Sequence, residues 1–151
     1  MLKTQQFGYM KVCIHNGLLI AVLTRNEHCP PHVHVGANEW EARFEFSFWH
    51  NGVRLLDVLP VQNKPTVAVL ENLRQTIKQP SHLRRAREIW WRNLQTVCLI
   101  NQLWDTEASE VASAKNRQSS ASIIKYARFD AGAYKTVLQL EGQSNFMEIR
   151  L

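Results

Sequence analysis

The sequence predicts an α+β protein in which an antiparallel β-sheet meander packs against two α-helices and a further β-meander forms the C-terminal part. Three observations predict this class. Strand-forming runs separated by Asn-Gly turns fill residues 9–58. Apolar residues then recur at helical spacing, and strand patterns return after a polar stretch. The predicted organisation is a main domain at 1–104, a linker at 105–122 and a C-terminal β appendage at 123–151.

The N-terminal elements are predicted to be a hairpin and a half-buried strand. Met10–Ile14 and Leu18–Thr24 are rich in strand formers, and Asn16-Gly17 between them favours the positive φ angles of a type I′ turn. Glu39–Phe48 alternates apolar and polar residues, which predicts a strand with one face on the core. A second Asn-Gly turn precedes a strand at Val53–Val58. The outward face of the alternating strand carries Glu39, Glu41, Arg43, Glu45 and Ser47.

Prolines mark the starts of two predicted helices. Pro65 suits a first helical turn because its missing N–H is not needed there. Pro80 and Ser81 end this helix and begin another, which is predicted from His82 to about Trp104. The polar stretch that follows predicts a linker. Turn residues then divide Ile123–Leu151 into three short strand-like runs.

The composition is that of a chain with its own hydrophobic core and a modest positive charge. With 151 residues, 45% of them hydrophobic, it can bury a core without disulfides. The net charge of +5 is compatible with a nucleic-acid or acidic protein partner. Three cysteines without a CxxC motif argue against a disulfide framework and favour a reducing, cytoplasmic compartment. Neither a signal peptide nor a membrane-spanning run is expected.

Four potential metal ligands fall within seven residues. His28, Cys29, His32 and His34 offer the imidazole and thiolate donors that zinc and other late first-row divalent metals favour. His32 and His34 are two residues apart on a predicted strand and therefore share a face. Glu39 and Glu41 on the next strand are candidates for a carboxylate ligand or a general base, and Glu41 is the candidate base of the metal-dependent alternative. The alternative is that the histidines are polar residues on a solvent-facing surface, because structural zinc sites usually draw on two separated ligand pairs.

The second predicted helix carries a basic segment. Its stretch His82–Arg92 holds four arginines and two tryptophans. Arg84, Arg85 and Arg92 share one arc, and Trp91 lies off the apolar face, a combination that suits phosphate contact and base stacking. The alternative is the solvated charged face of an ordinary surface helix.

The segment around the histidines resembles a known family. The run Glu27-His28-Cys29-Pro30-Pro31-His32-Val33-His34-Val35 is similar to the Asp-His-x-Pro-Pro-His-Phe-His-Val motif of the bacterial domain of unknown function 4160. Trp40-Glu41-Ala42 resembles the strand that follows the motif, and Leu59-Pro60 resembles the break before its helices. The resemblance covers roughly Gly17 to Asn93. The tail Ile123–Leu151 weakly resembles domain of unknown function 2442, which is often encoded next door.

The resemblance implies one half of a two-gene cassette of toxin–antitoxin type, and hence a protein partner. The leading hypothesis is therefore a small bacterial binding or regulatory protein, of toxin–antitoxin or mobile-element type, that acts through a protein, RNA or DNA. The alternative hypothesis is a metal-dependent hydrolase or nuclease that uses His28, His32 and His34, with Glu41 as base. A third hypothesis is a homo-oligomer in which the tail strands complete a neighbour's sheet.

Overall fold

The computed structural model describes residues 8–113 and 120–151, and the chain divides into two compact units, Met1–Gln95 and Thr96–Leu151. Over the described residues, no helix is long and apolar enough to cross a membrane. The first unit contains β1 (Tyr9–His15), β2 (Leu18–Leu23), β3 (His32–Gly36), β4 (Glu41–Glu45), β5 (Arg54–Leu59), α1 (Val67–Lys78) and α2 (Pro80–Leu94). The second unit contains β6 (Leu103–Asp105), β7 (Glu110–Ala112), β8 (Ala121–Asp130), β9 (Lys135–Leu140) and β10 (Met147–Arg150). This architecture confirms the predicted α+β class.

The first unit is built on an antiparallel sheet in the order β1-β2-β3-β4-β5. The predicted first hairpin is confirmed: Asn16 and Gly17 have φ angles of 49° and 76°, and His15 pairs with Leu18 on either side of them. Each strand pairs with its sequence neighbour, so the sheet is a meander. Short connections of this kind bring residues that are close in sequence onto adjacent strands.

The pairing of β3 with β4 sorts their side chains into two faces. Val33 lies opposite Phe44, and Val35 lies opposite Ala42; all four are fully buried. Because side chains alternate along a strand, His32 and His34 project to the other face together with the charged residues of β4. His34 lies opposite Arg43 on this face. The alternation predicted for Glu39–Phe48 is therefore confirmed over β4, whereas the strand is shorter than predicted and Ser47, expected on the outward face, is buried.

Each helix begins two residues from its predicted start: α1 at Val67, after Pro65, and α2 at Pro80, before His82. The N-cap of α2 is Gln79 rather than Ser81, and this helix is shorter than predicted. The Thr66 hydroxyl accepts a hydrogen bond from Val69 N–H and caps α1, and Pro80 occupies the first turn of α2. The expected continuation of α2 to Trp104 is wrong. Gln95 adopts a left-handed conformation with φ of 56°, which ends the helix at Leu94. Trp104 instead lies buried in β6.

The second unit is an antiparallel sheet in the order β10-β9-β8-β6-β7. Its β8, β9 and β10 form the C-terminal meander predicted from the turn residues. Two further short strands occupy 103–105 and 110–112, where a linker was expected to begin. The Asp105 carboxylate accepts hydrogen bonds from the N–H groups of Glu107 and Ala108 and from the Ser120 hydroxyl, so polar residues close this turn. The predicted linker also includes 114–119, which lie outside the described residues.

Candidate metal centre

The loop between β2 and β3 brings an acidic residue over the histidine face of the sheet. Prolines cannot donate a backbone hydrogen bond, so Pro30 and Pro31 offer only their carbonyl groups. Both carbonyls are used: Pro31 O accepts from Phe46 N–H at 3.0 Å, and Pro30 O accepts from the ring of His32 at 2.8 Å. The end of the loop is thereby fixed to the sheet just before β3 begins.

Three side chains converge under this loop. The Glu27 carboxylate contacts His32 Nε2 through one oxygen, and its other oxygen lies 3.2 Å from His34 Nε2. The ligand atoms of the three residues all lie within 4.8 Å of one another. The side chains of Glu27, His32 and His34 are only 3%, 5% and 1% exposed. These side chains therefore expose very little surface, and the expected alternative of solvent-facing histidines is wrong.

The Nδ1 atom of each imidazole ring already has a hydrogen-bond partner. His32 Nδ1–H donates to Pro30 O, and His34 Nδ1–H donates to Glu41 Oε1, each at 2.8 Å. An Nδ1 that donates in a neutral imidazole leaves a lone pair on Nε2. Both Nε2 atoms face the Glu27 carboxylate, which is itself an acceptor. A carbonyl or carboxylate behind a histidine in this way is the arrangement that orients metal-binding imidazoles.

The contacts inside the cluster lack a donor when both rings are neutral. Each ring then donates through Nδ1, so the two Nε2 atoms and the Glu27 carboxylate meet as acceptors, and the ring centroids lie 5.0 Å apart. Acceptors brought together where water is largely excluded repel one another. One divalent cation among the two Nε2 atoms and Glu27 satisfies all three acceptors.

The electrostatics of the cluster favour an ionised carboxylate beside a cation. Burial raises the pKa of Glu27, but hydrogen bonds with His32 and His34 outweigh it and lower this pKa to about 2. Burial likewise lowers the pKa of His34, but hydrogen bonds with Glu27 and Glu41 outweigh it, so the His34 pKa is raised. Both shifts show that the cluster stabilises negative charge on the carboxylate and positive charge next to it.

The donor set and spacing fit a late first-row metal. Zinc binds histidine nitrogen and carboxylate oxygen at about 2.0–2.2 Å, which places neighbouring ligand atoms roughly 3–3.5 Å apart. The 3.2 Å between Glu27 Oε1 and His34 Nε2 falls in this range. Two imidazoles select against magnesium and calcium, which prefer oxygen ligands. A set of two histidines and one carboxylate leaves coordination positions for water or substrate.

Two cavities adjoin the cluster. The larger has a volume of about 350 Å³, and its wall includes Glu27 and His32 themselves. The smaller, of about 200 Å³, is lined by His34 and Glu41. Arg43 and Asp57 line both cavities, and Arg43 Nε donates to Asp57 Oδ1 at 2.8 Å. The histidines and the carboxylate therefore lie beside open space that a small molecule can enter.

The structure brings together only some of the residues proposed from the sequence. His32 and His34 converge, whereas His28 is exposed on the wall of the larger cavity and lies outside the convergent group. Cys29 takes part in a disulfide, so the prediction that its thiolate is a metal ligand is wrong, and so is the expectation against disulfides for this residue. Glu41 accepts a hydrogen bond from His34, which gives it an orienting role, and its role as general base stays a prediction.

Glu27 is the one member of the cluster that the sequence does not predict. The sequence predicts a carboxylate on the strand after the histidines, whereas the carboxylate that reaches both Nε2 atoms precedes them in the loop. The available signal was the acidic first position of the motif, five residues before His32. Its role depends on how the loop folds back over β3, and residue spacing does not specify this path.

The basic segment of α2 is partly engaged within the chain. Arg84 forms an ion pair with Glu88 at 3.0 Å, and Arg85 Nε donates to a backbone carbonyl of β1 at 2.8 Å. Arg92 is exposed, and Trp91 is half-buried. Two of the three guanidinium groups on the predicted arc thus have internal partners. Nucleic-acid binding by this segment stays a prediction.

Comparisons with protein-family models, with curated proteins and with solved structures found no match for this chain. The resemblance to domain of unknown function 4160 therefore stays a prediction. The functional argument rests on the geometry of the cluster and on the chemistry of its donor atoms.

Proposed function

We propose that this protein is a metal-dependent hydrolase whose ion, zinc or another late first-row divalent metal, is held by Glu27, His32 and His34. One observation carries the proposal: two imidazole Nε2 atoms and a carboxylate converge in a buried cluster while both Nδ1 atoms already have acceptors. Such a convergence of acceptors is favourable around a cation and unfavourable without one.

The number of ligands favours a catalytic over a purely structural ion. Structural zinc sites usually have four protein ligands, whereas catalytic sites have three and keep a position for water or substrate. The described residues supply three, and the larger cavity opens directly onto two of them, Glu27 and His32. An ion in such a site polarises a carbonyl or phosphoryl oxygen and activates water for attack. The surrounding residues hold the ligand atoms in place, and they confine access to the side that faces the cavity.

This proposal ranks above the binding or regulatory module because it accounts for groups that a binding surface would not need. A recognition surface gains nothing from histidines that are almost completely buried and held at both nitrogens. The prediction of a protein or nucleic-acid partner is independent of the metal centre and needs its own test.

The test is metal content, measured by plasma mass spectrometry on protein purified without chelator and after reconstitution with zinc, cobalt or manganese. We expect about one ion per chain in the wild type and none in the double variant His32→Ala/His34→Ala. The matched control is His28→Ala, an exposed histidine from the same motif, which should keep its ion. Absence of metal from the wild type after reconstitution would refute the proposal.

A second arm tests the reaction class. The metal-loaded and metal-depleted proteins are compared for hydrolysis of 4-nitrophenyl acetate and bis(4-nitrophenyl) phosphate. We expect a rate with at least one substrate that requires the bound ion and is lost in His32→Ala/His34→Ala. Bound metal without hydrolysis of either substrate would support the metal site but refute the proposed hydrolase activity.

A further inference from the structure

An arginine–aspartate pair lies between the two cavities next to the cluster. Arg43 lies opposite His34 on β3, and it lies opposite Asp57 on β5, so the three residues form one row across the sheet. Both members of the pair line the larger and the smaller cavity. Any molecule that enters either cavity therefore meets this pair.

Arg43 keeps part of its guanidinium available. It binds Asp57 side-on, through Nε to Oδ1 and through Nη2 to Oδ2. Among the described residues, none forms a hydrogen bond with its Nη1. The Arg43 and Asp57 side chains are 38% and 32% exposed, so water or a ligand can reach them. An arginine fixed along one edge presents its remaining N–H groups in a defined direction.

The charge of the larger cavity sets the kind of ligand that it accepts. Its wall carries the carboxylates of Glu27 and Asp57 and the guanidinium of Arg43, which together leave one negative charge. A divalent ion at the proposed centre reverses the balance to one positive charge. A ligand with a single negative charge neutralises this net positive charge, whereas a dianion exceeds it and is repelled by the Asp57 carboxylate.

We propose that the site takes substrates with a singly charged oxyanion, a carboxylate or a phosphodiester, and that this oxyanion binds between the metal and Arg43 Nη1. The inference rests on the metal centre proposed above and adds the substrate class. Asp57 fixes the orientation of Arg43 and disfavours doubly charged ligands. Arg43 is thus a binding residue, and Asp57 determines specificity.

The neighbouring ion pair gives a matched control. Arg54 Nε donates to Glu45 Oε2 at 3.1 Å, again between β4 and β5 and on the same face of β4 as Arg43. Arg54 lines neither of the two cavities beside the cluster. Arg54→Gln therefore removes an equivalent cross-strand arginine without altering the proposed ligand site.

The experiment is isothermal titration calorimetry of the metal-loaded protein at mildly alkaline pH, with the metal content of every variant measured beforehand. The probes are acetate and dimethyl phosphate as monoanions, inorganic phosphate as a dianion, and acetamide and trimethyl phosphate as neutral analogues. We expect a monoanion to bind at least tenfold more tightly than its neutral analogue. The monoanion that binds more tightly, acetate or dimethyl phosphate, identifies whether the site prefers a carboxylate or a phosphodiester.

The variants separate a contact with Arg43 from a general effect of charge. Arg43→Gln and the charge-balanced double variant Arg43→Gln/Asp57→Asn should each lose roughly 10- to 100-fold in monoanion affinity, the range for a hydrogen bond to a charged group. Arg54→Gln should stay within about twofold of the wild type. Asp57→Asn removes one negative charge from the cavity wall and should strengthen phosphate dianion binding about tenfold or more.

The outcomes distinguish this inference from the proposed function. Unchanged monoanion affinity in the double variant would show that the metal alone holds the anion and would overturn the role of Arg43, with the metal centre intact. No anion binding by fully metal-loaded wild-type protein would also overturn it. A wild-type protein that takes up no metal would overturn both proposals.

Discussion

Glu41 Oε1 accepts a hydrogen bond from His34 Nδ1–H at 2.8 Å, and this contact between β4 and β3 turns the other ring nitrogen toward Glu27. Both side chains project from the same face of the sheet, where Glu41 lies diagonally across from His34. A carboxylate behind a histidine fixes its tautomer and makes the free nitrogen a better ligand. Glu41 thus supports metal binding through His34, and its role as general base stays a prediction.

Replacing Glu41 should weaken metal binding without removing it. Glu41→Gln keeps the size of the side chain but loses the charge that supports His34, and second-sphere changes of this kind typically cost 10–100-fold in metal affinity. Competition with a chromophoric chelator measures that affinity. Glu45→Gln on the same strand is the control and should leave it unchanged. Full metal affinity in Glu41→Gln combined with loss of hydrolysis would instead identify Glu41 as a base.

Replacing Glu27 should abolish the coupling between metal and stability. Metal at a hundredfold excess over its dissociation constant adds about 2.7 kcal/mol to the folded wild type. For a unit of this size that corresponds to roughly 10–20 °C in Tm. Glu27→Gln removes the anionic ligand, so added zinc should raise its Tm by only a small fraction of this amount. Scanning calorimetry with and without zinc measures the difference.

The exposed residue Glu39 provides the control for Glu27. Glu39→Gln removes the same charge from the same unit but from a position outside the cluster. It should therefore show the full zinc-dependent rise in Tm. If Glu27→Gln gained as much Tm from zinc as Glu39→Gln, Glu27 would not be a ligand.

Replacing Arg87 should lower the free energy of unfolding of the first unit, because the hydrogen bonds of this arginine stabilise the fold. It is fully buried, and it donates from Nε to Ser47 O at 2.9 Å and from Nη2 to His50 O at 2.7 Å and Asn51 Oδ1 at 2.9 Å. Arg87→Met leaves these acceptors without their donor and should lower the free energy of unfolding by about 3 kcal/mol. Urea denaturation followed by tryptophan fluorescence measures this change.

The control for Arg87 is the nearby exposed arginine, Arg84. Its ion pair with Glu88 spans one turn on the helix surface, where such pairs contribute less than about 1 kcal/mol. Arg84→Met should therefore change the free energy of unfolding only slightly. Equal effects of Arg84→Met and Arg87→Met would contradict the structural role of Arg87.

Local patterns predicted the elements of this fold well. The Asn16-Gly17 turn, the alternation through β4 and the proline at the start of α2 each act within a few residues, so the sequence displays them directly. The end of α2 was mispredicted for the same reason. Apolar spacing continues as far as Trp104, whereas the helix ends at Leu94 because the backbone turns left-handed at Gln95. Hydrophobic periodicity carries no information about that change.

The candidate site was only half predictable because its contacts depend on how a loop closes. A two-residue spacing on a strand is enough to place His32 and His34 on one face. The approach of Glu27 to both rings depends on the path of the loop over β3. The contact of Arg87 with the β4–β5 connection joins positions about forty residues apart, so no local pattern separates this buried arginine from the surface arginines beside it.

His50 should make the first unit less stable as the pH falls. Burial, followed by the positive charge of Arg87, lowers the pKa of His50 below its ordinary value of 6.5. Its Nδ1 also accepts a hydrogen bond from Gly52 N–H at 2.9 Å, which a ring protonated at that nitrogen cannot do. The unfolded chain therefore takes up a proton at His50 before the folded chain does. The contribution of His50 to stability is complete above pH 6.5 and is lost as the pH falls from 6.5 toward the lower folded pKa.

The measurement is the free energy of unfolding across this pH range for the wild type and for His50→Asn, in the same buffers. The asparagine side chain would keep an acceptor for Gly52 N–H but would not titrate, so the variant should lose less stability between neutral and mildly acidic pH. The difference between the two curves cancels contributions from every other group. Arg87→Met should also flatten the wild-type slope, because it removes the second cause of the His50 shift. Parallel curves for the wild type and His50→Asn would show that His50 does not set this pH dependence.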